Sequence, residues 1–395
     1  MDTVCHVITK LELGGAQEVA LYAVSHLDRG KFRPVLVTGP GGMLTEEAIE
    51  LPGVQTIIIP SLGRSIRAFS DLLALFELIS LFRRLRPTIV HTHSSKAGIL
   101  GRWAAWFARV PIVVHTVHGY GVTPAQPALL RRLFVLLERM TGWVTSHWIM
   151  VAQVDVEKGR QWRLFQNNVS IVRPGIDPRP FQSSIDATAR NRIREEFGAR
   201  PSDFLVGTVA CLKPQKAPED VVRVAQLLSK TSPDVRFVLI GDGELRPRLE
   251  ALIRQCGLHQ RVRLAGWRRD IDKAMKCFDA LLLTSHWEGL PRVILEASAV
   301  GLPVVATKVG GVEEVVRNGE NARLYDVGDV NGLAGGLEEI LEGYGKDPSR
   351  RRGLSRELPK EFHIDEMVKQ YQTLYDRLMS KRPEQLMTNL LGPEA

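Results

Sequence analysis

Short apolar runs alternate with amphipathic helical segments along almost the whole chain, and no other feature constrains its fold as tightly. In the first half the apolar runs are VCHVIT, PVLVTG, TIIIP, TIVHTHS, IVVHTVHG, WIMVA and VSIVRPG. Helical patterns lie between them, over about Gly15 to Leu27, Ser65 to Arg86, Gly98 to Ala108 and Leu129 to Arg139. A second series begins after Pro180: a helix near residues 186–197, FLVGTVACL, a helix near Pro218 to Lys230, then RFVLIGDG, VRLAGW, ALLLTS, PVVAT and a run ending RLYD. This is the order of an open α/β sheet with helices on both faces, met twice. At 395 residues the chain also exceeds the roughly 100–200 residues of one domain. The prediction is two Rossmann-like domains, residues 1–178 and 179–362, hinged at the proline-rich PGIDPRP, with a frayed tail over 381–395. Ligands of such sheets bind outside the carboxyl ends of the strands, so a cleft between the domains is the expected site.

The run SHWEGLPRVILEASAVGLPVVATKVGG carries the sharpest chemical signal. Residues 280–284 (ALLLT) read as a buried strand, and Gly289-Leu290-Pro291 turns the chain into a helix with Pro291 at its first position, where a missing N–H costs nothing. The amides heading that helix carry roughly +0.5 elementary charge and suit phosphate oxygens. Glu288 and Glu296 would repel an anion there but can accept hydrogen bonds from hydroxyls, so the expected ligand carries both phosphate and sugar. The plainer reading is two solvated glutamates flanking a helix.

This loop and helix with Glu-x7-Glu, followed by GLPVVAT and VGGVEEVV, resembles the retaining glycosyltransferases of family four, which have the GT-B architecture. The resemblance covers nearly the whole chain. It implies an α/β fold of two Rossmann-like domains facing each other across a cleft, the N-terminal one binding acceptor and the C-terminal one binding a UDP- or GDP-linked sugar donor. It implies as well that a last helix, residues 363–380, crosses back to the first domain. Glu288 would contact donor-sugar hydroxyls and Glu296 the nucleotide ribose. The family reads Arg-Leu-x-x-x-Lys-Gly where this chain has Cys211-Leu212-Lys213-Pro214-Gln215-Lys216-Ala217. Lys216 matches the diphosphate-clamping lysine, Cys211 replaces the arginine, and Lys213 is the expected second cation. His118, ending the fifth strand, would hydrogen-bond the donor sugar without acting as a base. Gly14 and Gly15, opening the first helix, would let backbone approach the donor phosphate or acceptor, although they lack the full G-x-G-x-x-G signature and also read as a mere turn. Gly241 in GDGE would admit the base, or simply make a tight turn.

Other groups read less sharply. His91, His93 and His115 also lie near strand ends, but no carboxylate joins them and HTHS is part of the family's recurring strand, so no metal is expected. Ser94, Ser95 and Lys96 line the acceptor cleft or cap a helix. Asp270-Ile271-Asp272 has the Asp-x-Asp form of metal-dependent transferases of another architecture, yet Asp270 reads as a helix N-cap. Arg269 and Glu314 are weaker candidates near the base. No cofactor is expected.

Net charge is +8, and residues 1–180 carry 20 Lys and Arg against 13 Asp and Glu. The Ser65–Arg86 and Leu129–Arg139 patterns combine apolar faces with arginines. They read either as core helices with a solvated basic face or as docking on an anionic membrane, which motivates a lipid-linked acceptor. No nucleic-acid motif accompanies the charge. With no apolar leader, no long uncharged apolar run and four dispersed cysteines, the expectation is a cytoplasmic enzyme, peripheral on the inner face of the membrane. The expected activity is metal-independent hexosyl transfer to an acceptor hydroxyl in cell-surface polysaccharide or glycolipid synthesis. A nucleotide-sugar 2-epimerase of the same architecture and a non-catalytic sugar-nucleotide-binding protein are the alternatives, the second supported by Cys211.

Overall fold

The computed structural model describes residues 1–122, 126–346 and 357–380, with backbone alone over 344–346. The tail expected over 381–395 lies outside the described residues. The chain forms two compact units, Met1–Pro174 together with the segment from Ile364, and Gly175–His363. The break at Pro174–Gly175 falls inside the proline-rich stretch.

In the first unit, strands β1 (Asp2–Ile8), β2 (Phe32–Thr38), β3 (Gln55–Ile58), β4 (Ile89–His93), β5 (Ile112–Val117), β6 (His147–Met150) and β7 (Val169–Ile171) form one sheet in the order β3-β2-β1-β4-β5-β6-β7. In the second, β8 (Phe204–Val209), β9 (Val235–Ile240), β10 (Val262–Gly266), β11 (Ala280–Leu283), β12 (Val304–Thr307) and β13 (Ala322–Tyr325) run β10-β9-β8-β11-β12-β13. All these pairings are parallel. Each sheet is buried on both faces. In β1, for example, Val4 belongs to one apolar cluster while Cys5 and Val7 belong to another on the opposite side, the period-2 alternation of a strand. In both sheets the order reverses beside the first strand, between β1 and β4 and between β8 and β11, the place where open α/β sheets bind ligands outside the carboxyl ends of their strands.

The C-terminal helix, Ile364–Ser380, buries Ile364, Met367, Val368, Tyr371, Leu374 and Tyr375 in the core of the first unit, against Val4, Ile89, Ile112 and Val114. Their spacing of three and four is one helical face, and each such large side chain contributes about 1.5–3 kcal/mol on burial.

One finding departs from the sequence reading, and a second goes against one of its two alternatives. The helix expected from Gly98 starts at Ser95, because the Thr9 hydroxyl accepts the Ala97 N–H (3.3 Å) and Ser94 turns the chain with φ 63°. The helix Ala128–Gly142 is inverted relative to a core helix: its buried residues are Glu138 and Thr141, whereas Leu129 is 79% and Leu136 51% exposed. Arg102 explains the burial. Its guanidinium donates to Glu138 (2.6 Å), Thr145 (3.3 Å) and the Gly98 carbonyl (2.9 Å), and lies over the Trp148 ring at 4.7 Å. A desolvated ion pair of this kind persists only when its remaining hydrogen bonds are satisfied, as they are here. The helix Ala68–Leu85 buries Leu78 and Phe82 but leaves Phe69, Leu72, Leu73 and Phe76 exposed.

Candidate active site

In the second unit the loops following β8 and β11, the two strands flanking the reversal, are laced together. Lys216 Nζ donates to Glu288 Oε1 at 2.5 Å, and Ser285 Oγ donates to the same oxygen at 2.5 Å. The pair is well shielded, with Lys216 and Glu288 side chains 18% and 6% exposed. Backbone contacts hold the loops in register: His286 N–H donates to Gln215 O (2.8 Å), Gln215 Nε2 to Trp287 O (2.9 Å), and the buried Thr284 hydroxyl to Lys216 O (3.0 Å). Both donors use Oε1, leaving Oε2 of Glu288 without a partner among the described residues. The carboxylate is thus held in place with one oxygen still available to accept from a ligand hydroxyl.

Glu288 leads through Gly289 and Leu290 into the helix Arg292–Val300. Pro291 is not its first residue but its N-cap, extended at φ −76° and ψ 106°, because its carbonyl already takes the Ile294 N–H (3.1 Å). A third loop, after β12, seals this turn. Gly310 lies so near that a Cβ there would sit 2.1 Å from the Glu288 carbonyl oxygen, and the Gly311 N–H donates to Gly289 O at 2.6 Å. Glu296 is half-buried on the helix, about one turn along. Glu314 ends the sealing 3-10 turn, half-buried.

Lys213, half-buried, precedes the 3-10 turn Pro214–Lys216 that delivers Lys216. Ala217 follows with φ 43° and ψ 51°, the left-handed conformation that favours glycine, which accounts for the family's glycine at this place. Gly241 has φ 127°, and a Cβ on it would lie 2.0 Å from the Ala210 carbonyl oxygen, so the protein's own backbone already demands glycine there. Asp270 occupies an N-cap position but makes no cap bond. Arg268 grips both its oxygens (2.8 and 2.7 Å), and this pairing holds its carboxyl below the usual range. Asp272 pairs with Lys276 at 3.5 Å, so both carboxylates are spent on the protein's own cations; Arg269, just before Asp270, is exposed.

In the first unit His118 ends a chain of buried rings. His118 Nε2 lies 3.1 Å from His93 Nδ1, His93 Nε2 lies 3.0 Å from His6 Nδ1, and His6 Nε2 lies 3.2 Å from the Tyr375 hydroxyl. That hydroxyl reaches His91 Nδ1 (2.5 Å), whose Nε2 meets the Thr116 hydroxyl (2.6 Å). His6, His91 and His93 have no exposure, and desolvation lowers them all, His6 to about 3. Burial among protein atoms likewise lowers half-buried His118 to about 4. These imidazoles are therefore neutral near pH 7. His6, His91 and His93 stand close enough to share a metal ion, but all six of their ring nitrogens are already engaged in the hydrogen bonds just given. His115 sits on the opposite sheet face, bonded to the Thr92 hydroxyl (2.9 Å).

Gly14 precedes the helix Gly15–Ser25 with extended backbone (φ 176°) that any residue adopts, and Gly15 is exposed at the helix start. Ser94 does not cap through its side chain; its hydroxyl pairs with Thr9 (2.8 Å). Lys96 is drawn away to Asp71 and the Ser65 carbonyl. The described structure thus joins Lys216 to Glu288 in one unit and places His118, Gly14 and Gly15 in the other.

Four participants escaped the sequence reading: Ser285, His6, Thr116 and Tyr375. His6 had a signal, being a polar residue in an otherwise apolar β1 that registers beside His91. Tyr375 had one too, on the apolar face of an amphipathic terminal helix.

Comparison with known proteins identifies the family. Residues 13–179 match the model of Glycosyltransferase Family 4, and residues 189–356 that of Glycosyl transferases group 1. An Escherichia coli UDP-Gal:alpha-D-GlcNAc-diphosphoundecaprenol alpha-1,3-galactosyltransferase is 31% identical over 86% of this chain and 88% of its own. A D-inositol 3-phosphate glycosyltransferase of Xylanimonas cellulosilytica is 30% identical over 75% and 73%. Among solved structures, Anabaena HepE in complex with UDP-glucose superimposes with a TM-score of 0.79 over 95% of this chain and 100% of its own, at 22% identity. WaaG, a glycosyltransferase involved in lipopolysaccharide biosynthesis, gives 0.73 over 92% and 98%, at 17%. With two parallel-sheet Rossmann-like units and relatives matched over most of their length, the chain belongs to the family-four, group 1 glycosyltransferases of GT-B architecture.

Proposed function

We propose that this chain moves a hexose-type sugar, with retention of configuration and without a metal ion, from a UDP- or GDP-linked donor to an acceptor hydroxyl carried on a lipid. The observation that carries the reading is the convergence of Lys216 and Ser285 on one oxygen of Glu288 at the head of a helix. Cleaving the donor leaves charge on a diphosphate, and a cation and helix amides fixed beforehand stabilise such charge without reorganising. Lys216 supplies the cation, with Lys213 as the second in place of the arginine that Cys211 has replaced. Gly289, Leu290 and Pro291 bring the helix amides close to the diphosphate, Glu288 Oε2 accepts from sugar hydroxyls, and Glu296 accepts from the ribose. Gly241 borders the nucleotide. In the acceptor-binding unit, Gly14 and Gly15 open a helix towards the donor phosphate or acceptor, and His118 orients the sugar as a neutral hydrogen-bonding group. No protein nucleophile is required if the acceptor hydroxyl attacks the face from which the diphosphate departs. Asp270 and Asp272, committed to Arg268 and Lys276, favour the metal-independent form.

The relatives support the donor and acceptor classes: the E. coli enzyme is named for UDP-galactose and a diphosphoundecaprenol-linked sugar, and HepE was solved with UDP-glucose. The exposed apolar faces of the Ala68–Leu85 and Ala128–Gly142 helices, with Arg67, Arg131, Arg132 and Arg139 beside them, favour docking on an anionic membrane at its cytoplasmic face, within cell-surface polysaccharide or glycolipid synthesis. Among the described residues no helix is long and apolar enough to cross a membrane.

The test is a thermal-unfolding screen with UDP, GDP and ADP, followed by turnover of the matching sugar nucleotides with and without EDTA. A nucleotide at a hundred times its Kd stabilises by about 2.7 kcal/mol. No shift with any of the three, together with no turnover, ends the reading.

A further inference from the structure

Glu288 is a negative charge held at the place where the proposed donor carries its own. Its loop is fixed on both sides: the buried Thr307 hydroxyl donates to Ser285 O (2.6 Å), and the Gly311 N–H donates to Gly289 O (2.6 Å). The side chain is fixed as well, because Lys216 and Ser285 both donate to Oε1 and the carboxylate is 6% exposed. Among the described residues Glu288 is the one acid paired with Lys216, so the cation offered to a diphosphate already faces a carboxylate. Such a charge cannot turn away from a neighbouring anion, and with little water around it the repulsion is weakly screened.

If the helix amides and Lys216 hold the donor diphosphate, intact donor and spent nucleotide differ in two ways beside Glu288. The intact donor offers sugar hydroxyls to Oε2, and its sugar-bearing phosphate has a single negative charge. Transfer breaks the bond between the sugar carbon and the phosphate oxygen, which keeps the electron pair. The acceptor oxygen bonds to that carbon instead, and the acceptor proton leaves by way of the diphosphate to solvent. The nucleoside diphosphate left behind brings no hydroxyl to Oε2, and its terminal phosphate, with a second pKa of about 6, gains most of a further negative charge at neutral pH. While the sugar is present, its hydroxyls and the positive charge that grows on its ring in the transition state offset the repulsion. After transfer only the repulsion remains.

We propose that Glu288 is a specificity-determining residue that makes the site hold an intact sugar nucleotide in preference to the nucleoside diphosphate it becomes, and so promotes product release. Lys216 and Ser285 serve this role by pinning the carboxylate in place. The proposal rests on the reading of this site as one for a sugar nucleotide. A purely structural ion pair differs from it in the sign of one effect: removing the charge of Glu288 loosens a structural pair, whereas here it strengthens binding of the product.

The experiment is calorimetric titration of the full chain at pH 7.5 with UDP, with UDP methylated on its terminal phosphate, and with UDP-glucose and UDP-galactose. GDP, its methyl ester and GDP-mannose form the parallel series. The methyl ester lacks both the sugar and the further charge. In the wild type the free diphosphate is expected to bind no more tightly than its methyl ester, despite that charge, and more weakly than the sugar nucleotide. Glu288→Gln keeps the shape and an acceptor for Lys216 and Ser285. It is expected to tighten the free diphosphate about tenfold more than the methyl ester, a difference of about 1.4 kcal/mol, and to weaken the sugar nucleotide, so that the order of product and donor inverts. The proposal is overturned by a wild-type diphosphate that binds more than about threefold more tightly than its methyl ester. It is equally overturned by a Glu288→Gln effect that is the same on both, as loosened packing gives, or that weakens the free diphosphate. The wild-type comparison decides the matter if the variant does not fold. Sugar nucleotides that bind without this pattern discard the proposal alone; no binding of any nucleotide or sugar nucleotide discards the sugar-nucleotide site and the proposal with it.

Discussion

The two units share one sheet order and differ in what they build where that order reverses. Beside β8 and β11 the second unit buries opposite charges, Lys216 against Glu288, with Ser285 completing the carboxylate's environment. Beside β1 and β4 the first buries uncharged rings in series, each satisfied by its neighbour. Topology supplies the reversal, and the side chains decide whether it holds fixed charge or neutral hydrogen-bonding groups. A charged site suits a diphosphate whose charge grows during reaction; a neutral one suits hydroxyls.

The largest single-residue effect expected is on the charged side of this contrast. Lys216→Ala should lower kcat on the order of a hundredfold or more, the typical loss when a preplaced donor to developing charge is removed. With the true substrates, a loss under about fivefold would remove Lys216 from the mechanism and make that site merely structural. The same change leaves Glu288 buried beside Ser285 alone and should destabilise the unit by about 1–3 kcal/mol in denaturant titration.

Acid pH separates the two sites next. The rings of the first unit have folded pKa values below the ordinary histidine value, so the unfolded chain binds more protons as pH falls below about 6.5. Their neutral burial favours folding fully above that value, and the advantage fades as pH drops towards the values of about 3 and 4 held by His6 and His118. The loss is about 1.4 kcal/mol per ring per pH unit in that window. Hydrogen exchange at pH 7.5 and pH 5 should show protection in β1 and β4 falling further than in β8 and β11; equal losses in the two sheets would refute the contrast.

A weaker effect is expected at the surface of the first unit. Flotation with vesicles containing phosphatidylglycerol should carry the protein and pure phosphatidylcholine should not, since each basic residue near the anionic surface contributes about 1 kcal/mol. Leu133→Glu with Leu136→Glu, both on the exposed face, should abolish flotation and leave unfolding unchanged. Binding indifferent to lipid charge argues against membrane docking. The smallest effect is at Ala217, whose left-handed backbone is strained: Ala217→Gly should stabilise the second unit by up to about 1 kcal/mol in thermal unfolding, and a clear destabilisation would mean that its buried methyl matters more than its φ.

Much of the fold was legible because the signals are local. The apolar runs named the strands of both sheets, and Glu288 to Glu296 announced the loop and helix that receive Lys216. Other readings failed where a distant partner intervened. Ser94 read as a cap, yet Thr9 supplies the cap bond, and of the two readings of the Leu129–Arg139 pattern the core one gives way because Arg102 draws Glu138 inward and turns the leucines out. Each depends on a partner from another element whose arrival no local pattern records.

By itself the sequence determined the doubly repeated α/β order, the family and the residues at the heads of the loops, because strand period, helix period and turn chemistry act over a few neighbours. Only the tertiary structure decided that Lys216 and Ser285 share one oxygen of Glu288, that His6 joins His91 and His93, and that Tyr375, more than 250 positions further along the chain, completes the line to His118. Hydrogen-bond partners are fixed by distance and angle in space, and residues remote in sequence reach such distances only when the sheets and helices have packed.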